Sequence, residues 1–287
     1  MSRLAILTPD PADTAVGGRW RDVLEATRQS FAAAGMTIEG RPWTAAGDLR
    51  PFDLVLAQTV WGYHHQVDRW GDQVLAWEAE GVRLRNPGPV LRWNADKRYL
   101  QPMEARGAPV VPTLFTDRLT PDVLQEATER FGCDRLVAKP QRSANAHQTL
   151  RWSPGHDLEG GPDGPAMVQP YLPSIEREGE VSIFYFSGVY SHAVRKAPRP
   201  GDFRVQPEFG SQITAHDPAP DERATAEAIL AAVDEPLLYA RVDLVRGLDG
   251  SPALIEIELI EPDLYLGHAA DGGAAFVRAV AEDAGRA

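Results

Sequence analysis

Asp243, Glu256 and Glu258 are the residues whose type and spacing most clearly suggest chemistry. Asp243 lies in Tyr239 to Val245, an alternating run rich in branched residues, and the two glutamates interrupt an apolar run from Ala253 to Ile260. Between the runs, Gly247, Asp249, Gly250, Ser251 and Pro252 form a dense turn cluster, so the stretch is predicted to be a hairpin. With a side-chain period of two, Glu256 and Glu258 share a face with Leu254, while Ile255, Ile257 and Leu259 take the other. Like charges side by side repel, and desolvation makes this worse, so something cationic must offset them. If the hairpin brings Asp243 alongside, these oxygen donors suit a hard cation, and Mg²⁺ usually sits between carboxylates and substrate phosphates. The competing reading is an amphipathic strand that shows its glutamates to water.

Candidate anion-binding groups are spread along the chain. Lys139 follows Leu136, Val137 and Ala138 into an otherwise apolar setting and needs a partner, for which a phosphate is suitable. The polar loop PQRSANAH follows, and its small residues let backbone N–H groups approach an anion. Arg195, Lys196, Arg199 and Arg204 crowd one short stretch of an acidic protein, which points either to a specific anion or to a solvated charged loop. Arg241 shares a strand face with Asp243 and either holds a substrate carboxylate or neutralises its neighbours. Trp61, Tyr63, His64 and His65 line a pocket or pack under the next helix; a His-His pair alone makes no metal site. Gly17-Gly18 matches no nucleotide fingerprint and reads equally well as a helix-entry turn.

Composition narrows the classes. The 287 residues are 43% hydrophobic and 24% charged, ample for a large core. A net charge of −12 argues against nucleic acid as main partner. Cys133 is the one cysteine, so no intrachain disulfide forms, and a reduced, cytoplasmic setting fits. No apolar run approaches the ~20 residues that cross a bilayer. MSRLAILTPD reads as a first strand rather than a signal peptide.

The elements that must position these residues alternate between strand and helix. Strands are predicted at Leu4 to Leu7, Thr37 to Trp43 and Phe52 to Ala57, with helices at Arg19 to Ala34 and Gln66 to Glu80. Asn86-Pro87-Gly88-Pro89 marks a boundary. A single helix is expected over Leu91 to Arg106, then a strand from Ala108, then a helix capped by Thr120 that runs to Phe131. Strands follow at Arg135 to Lys139, Gln148 to Trp152 and Met167 to Leu172, and a hairpin pairs Val181 to Phe186 with Val189 to Arg195. Helices close the list at Asp221 to Val233 and Asp271 to Ala284. The fold class is α/β.

In this order the parts resemble the ATP-grasp superfamily of carboxylate–amine ligases, nearest the branch of glutathione synthetase, the ribosomal-protein S6 glutamate ligase and O-ureido-serine cyclo-ligase. The resemblance rests on NADK then Tyr99, VAKP, VQPYL then GEVS, RK…GDFR, and RVDL…IEIELIEP, and it covers nearly the whole chain. It implies an N-terminal α/β lobe (1–90) and two lobes (91–173 and 174–287) that clamp ATP between antiparallel sheets. By position, Lys97 and Lys139 are similar to the ATP-contacting lysines, Ser143 to a phosphate-loop residue, and Gln169, Tyr171 and Leu172 to the adenine hinge. Glu180 resembles the ribose-binding acid, and Lys196 and Arg204 the cations that face the γ-phosphate and the acyl phosphate. Asp243, Glu256 and Glu258 resemble the Mg²⁺ carboxylates, with Glu258 where the family has Asn. The phosphate flap, Arg142 to His147, lacks the family's glycines.

The implied reaction uses ATP and two Mg²⁺, with Mn²⁺ as a substitute, and makes an acyl phosphate on a small amino-acid-like carboxylate that an amine then captures. Arg19, Trp61, Tyr63, Arg241, Glu261 and Tyr265 are the substrate candidates. An intramolecular cyclo-ligase, a phosphotransferase and a non-catalytic nucleotide binder stay open as alternatives. The family's habit of forming dimers or tetramers implies a homo-oligomer.

Overall fold

The computed structural model describes residues 2–285. β1 (Arg3–Thr8), β2 (Thr37–Pro42), β3 (Leu54–Leu56) and β4 (Leu84–Arg85) form a parallel sheet in the order β2-β1-β3-β4. Parallel neighbours need crossovers, and α1 (Arg19–Ala33) and α2 (Val67–Ala79) supply them. The apolar periodicity of each helix becomes its buried face: Leu24, Thr27 and Phe31 on α1, and Trp70, Val74 and Trp77 on α2.

The single helix expected over Leu91 to Arg106 is broken. It comprises α3 (Gly88–Trp93), a 3-10 turn at Lys97–Tyr99 and α4 (Leu100–Ala105). Two side chains account for the break. Asn94 is drawn away to donate to the Ile257 carbonyl at 2.8 Å, and Asp96 accepts from the Arg98 amide at 2.9 Å as a cap. The strand expected from Ala108 shrinks to β5 (Leu114–Thr116), because Pro109 and Pro112 remove ladder donors, though Val110 still bridges Leu254.

β5 joins β6 (Leu136–Pro140), β7 (Leu150–Trp152) and β8 (Ala166–Pro170) in an antiparallel sheet of order β5-β8-β6-β7. α5 (Pro121–Phe131) covers it, capped as expected by Thr120 Oγ1 on the Val123 amide and ended by Gly132 at φ 63°. Cys133 is only partly buried; it follows that turn, with its Sγ 3.5 Å from the Arg135 carbonyl.

The larger antiparallel sheet follows the short α6 (Ser174–Arg177). It contains β9 (Glu180–Phe186), β10 (Val189–Ala197), β11 (Gln212–His216), β12 (Tyr239–Arg246) and β13 (Pro252–Glu258) in the order β11-β10-β9-β12-β13. α7 (Pro220–Ala231) packs behind β12 and β13, and α8 (Ala274–Ala284) returns to the first sheet. There Phe276 meets Phe31 edge-on at 5.6 Å, and Leu4, Ile6, Phe184 and Tyr239 share their core. The parallel sheet and the larger antiparallel sheet are therefore packed together.

β13 departs from simple alternation. Asp243 pairs with Glu256, but Leu244 pairs with Leu254, so Ile255 is an extra, bulged residue. Glu256 and Glu258 keep their common face, whereas Leu254 turns into the core and Ile255 takes its place beside the glutamates. No helix among the described residues is long and apolar enough to cross a membrane.

Candidate active site

A cavity of about 620 Å³ is lined from both antiparallel sheets, from the β6–β7 loop, and from the loops after β1 and β3. Every residue singled out as catalytic, cofactor-binding or metal-binding borders it: Lys97, Lys139, Ser143, Gln169, Tyr171, Leu172, Glu180, Lys196, Arg204, Arg241, Asp243, Glu256 and Glu258. Arg19, Trp61, Tyr63, Glu261 and Tyr265 border it too.

The larger sheet presents a network of buried charge. Arg241 donates to both oxygens of Asp243, from Nε at 3.0 Å and Nη2 at 2.9 Å, and also binds Glu258. Lys196 Nζ donates to Glu180 at 2.8 Å and to Asp243 at 3.5 Å, and Ser182 Oγ donates to Asp243 at 2.6 Å. Burial pushes the Asp243 carboxyl up, but Arg241 and Lys196 outweigh it and hold the group below its usual range. Burial pulls Lys196 down, and Asp243 and Glu180 more than reverse that. Gly179 makes the Glu180–Lys196 approach possible: its φ is +79°, and a Cβ there would lie 2.4 Å from the Lys196 carbonyl oxygen. Glu180 and Lys196, expected to meet ribose and phosphate, thus meet each other. Arg241 holds a carboxylate bidentately, and that carboxylate is Asp243.

The smaller sheet is different. Lys139 sits on β6 with Glu256 and Glu180 as its nearest attractive charges, and burial lowers its pKa to about 8. Lys97 Nζ lies 2.9 Å from Glu256 and donates to the Ser143 carbonyl at 2.8 Å, which ties the loop to β13. In that glycine-free loop Asn145 and Ala146 adopt φ of 54° and 52°, the left-handed conformation that glycine would take without steric cost. Arg142 clasps it to Asp96 at 2.9 Å and Asp68 at 3.1 Å.

The segment after β8 makes an apolar cleft. Tyr171, Leu172, Ile175, Val111 and Val205 pack together, and Gln169 Nε2 donates to Thr113 Oγ1 at 2.9 Å. Arg204 is held by Asp202 at 2.8 Å and lies 3.8 Å over the Phe209 ring. At the other end, Arg19 pairs with Asp263 at 2.6 Å and stacks 4.9 Å over Trp61. His65 bonds Asp13 at 2.6 Å, and His64 is pushed down to about 4 by burial and by His65 and Lys97, which keeps it neutral. Glu258 is raised to about 7 by burial, against the pull of Arg241.

Several positioning residues were not evident from sequence. Asn94 and Tyr99 hold β13 through the Ile257 and Leu259 backbone, and Asn86 clamps Leu238, Tyr239 and Leu259. The available signal was a polar side chain inside an apolar stretch, since a buried amide must bond something. Among the described residues no group of His, Cys, Asp and Glu is arranged as a metal cage. Asp243, Glu256 and Glu258 share a face, but as members of ion pairs rather than as a cluster. The donor set still fits Mg²⁺, which takes one or two carboxylates and completes its shell with water and phosphate oxygens. Glu256 and Glu258 each keep exposed surface on the cavity, whereas Asp243 is buried with both oxygens engaged.

Comparison with known proteins gives a consistent answer. Residues 4–86 match the family model of the D-cycloserine synthetase DcsG N-terminal domain. The cycloserine biosynthesis protein DcsG of Streptomyces lavendulae is 33% identical over 304 aligned positions, covering 98% of this chain and 99% of that protein. The crystal structure of D-cycloserine synthetase DcsG superposes with a TM-score of 0.82 at 30% identity, covering 99% of this chain and all of the other (100%). D-alanine–D-alanine ligase from Bacillus anthracis has the same fold, with a TM-score of 0.71 at 16% identity over 100% of this chain and 98% of its own.

Proposed function

This chain belongs to the ATP-grasp ligases, and we propose that it closes a ring within one small amino acid, joining the carboxylate to a nitrogen that the same molecule carries on its side-chain oxygen. The enzyme class is an ATP-dependent, ADP-forming ligase that makes a C–N bond. The narrower assignment rests on one observation, the end-to-end match to a cycloserine biosynthesis protein. The substrate class is O-ureidoserine and its relatives.

Residues 1–90, 91–173 and 174–287 act as three lobes in this reading. The apolar cleft of Tyr171 and Leu172 takes the adenine, with Gln169 at its edge. Lys139, short of a carboxylate partner and strained by burial, takes the phosphates, and Lys97 and the Ser143 loop close over them. Glu256 and Glu258 would hold Mg²⁺, two ions in all with Mn²⁺ as a substitute, which would supply charge neutralisation on the phosphates. Asp243 orients Arg241 and Lys196 until a ligand redistributes these contacts. Arg204 and Arg241 stabilise charge on the transferring group.

Bond by bond, a carboxylate oxygen attacks the γ-phosphorus and ADP leaves. The nitrogen then attacks the acyl carbon, the C–O bond to phosphate breaks, and the nitrogen gives up a proton. Walling off water protects the acyl phosphate, a task for the clasped loop Arg142 to His147.

The test is incubation with ATP, Mg²⁺ and O-ureidoserine of either configuration, with mass spectrometry for cycloserine or its carbamoyl derivative, ADP and free phosphate. Ring product with equal ADP and phosphate is expected. ADP and phosphate formed only with a separate amine would make the enzyme an intermolecular ligase. ADP with a stable phosphorylated product would make it a kinase.

A further inference from the structure

The chain leading into Glu261 is pinned at successive residues. Asn94 accepts from the Leu259 amide at 2.8 Å, Asn86 donates to the Leu259 carbonyl at 2.8 Å, and the Tyr239 hydroxyl donates to the Ile260 carbonyl at 2.8 Å. The Trp61 indole donates to the carbonyl of Glu261 itself at 3.2 Å, and buried Pro262 follows. A backbone held this firmly fixes where the carboxyl group enters the cavity.

Apart from the exposed Glu208, the other carboxylates that border the cavity have cations against them. Asp243 and Glu258 have Arg241, Glu256 has Lys97, Glu180 has Lys196, and Asp263 has Arg19. Glu261 has no ion pair and no hydrogen bond to another residue's side chain among the described residues; its own backbone amide is the donor that acts on it, and Arg241 acts only at a distance. Burial, then the negative Glu258, disfavours its ionised form, and a cation brought alongside removes that penalty. Trp61, Tyr63 and Tyr265 line the cavity too, and the rings of Trp61 and Tyr265 already carry Arg19 and Lys196 on a face, so the aromatic surface here suits a cation.

We propose that Glu261 is the anchor for the ammonium group of an amino-acid substrate, which directs the substrate's carboxylate toward Lys139 and Glu256. The inference rests on the reading of a small amino-acid substrate and adds the group that selects it. Substrates with a free α-ammonium are accepted, and their desamino or N-acylated counterparts are refused. Glu261 is thereby a specificity residue distinct from the Mg²⁺ carboxylates that precede it.

The experiment is titration calorimetry on the enzyme loaded with Mg²⁺ and a non-hydrolysable ATP analogue. The probes are O-ureidoserine, its desamino analogue 3-(ureidooxy)propanoate, and a panel of amino acids with their desamino acids. Wild type is expected to bind the ammonium-bearing member on the order of 100-fold more tightly, and Glu261→Gln to bring the pair within about threefold. Glu261→Asp is expected to retain part of the preference. Binding of the ATP analogue to each variant verifies its fold, and the wild-type comparison stands without any variant. Equal binding of the pair by wild type, no binding of any amino member, or an undiminished preference in Glu261→Gln overturns the proposal. If O-ureidoserine is not cyclised but another amino acid binds with this Glu261 dependence, the ring-closing reading fails and the anchor stands.

Discussion

Lys196 and Lys139 border one cavity from opposite sheets, and their surroundings could hardly differ more. Lys196 lies between Glu180 and Asp243, and the network extends through Arg241 to Glu258. Lys139 has a carboxylate only at longer range and a pKa lowered to about 8. A buried lysine with partners is part of the scaffold that holds its sheet together, whereas one without them is poised for an anion that arrives with the ligand. In the proposed function, the larger sheet is built before ATP binds, and the smaller sheet is completed by it.

The sharpest ways to break that contrast are substitutions. Glu256→Ala removes the carboxylate that faces Lys97 and Lys139 and that is proposed to hold the metal, and ATP turnover is expected to fall by at least about 10³-fold, measured as ADP release. Lys196→Met leaves Glu180 buried without its cation and Asp243 with Arg241 alone, and is expected to cost about 3–5 kcal/mol of stability by denaturant titration. Lys139→Met removes a charge that has no close partner. It is expected to raise the ligand-free Tm by roughly 2–4 °C while weakening ATP binding about 10²-fold. If both lysine variants lose stability alike, the distinction between scaffold and receptor is wrong.

The contrast also carries a pH signature. Lys139 is largely charged below about pH 8 and largely neutral above it in the free protein, and bound phosphate raises its pKa. ATP binding should therefore take up a proton as pH rises through 8, with affinity falling up to tenfold per pH unit, and Lys139→Met should abolish that slope. The loops give a smaller test. Gly179→Ala, with a Cβ 2.4 Å from the Lys196 carbonyl, is expected to cost about 1–3 kcal/mol. Ala146→Gly in the left-handed flap should change stability by roughly 0.5 kcal/mol or less, since relief of strain and added chain entropy nearly cancel.

Much of this site could be read from the sequence because its chemistry depends on residue type. Charged groups in apolar runs, such as Lys139 and Glu256, have few stable explanations apart from a partner or a ligand. The pairing could not be read: Lys196 and Glu180 belong to one predicted hairpin, but it is an irregularity between Tyr190 and His192 that sets them opposite each other, and nothing local says that Asn94 leaves its helix for β13, a contact between distant segments. The bulge at Ile255 was hidden for a related reason. A period of two is visible in a sequence, but one extra residue is set by the partner strand. The positive φ values of the flap also escape a reading in which left-handed backbone is signalled by glycine.

The account's central claim is that a substrate carboxylate takes the γ-phosphoryl group before the C–N bond forms. Substrate labelled with ¹⁸O in its carboxylate tests this directly when the released phosphate is weighed by mass spectrometry. The account predicts one ¹⁸O in each phosphate formed with product. Unlabelled phosphate, or ADP with no free phosphate, would contradict it.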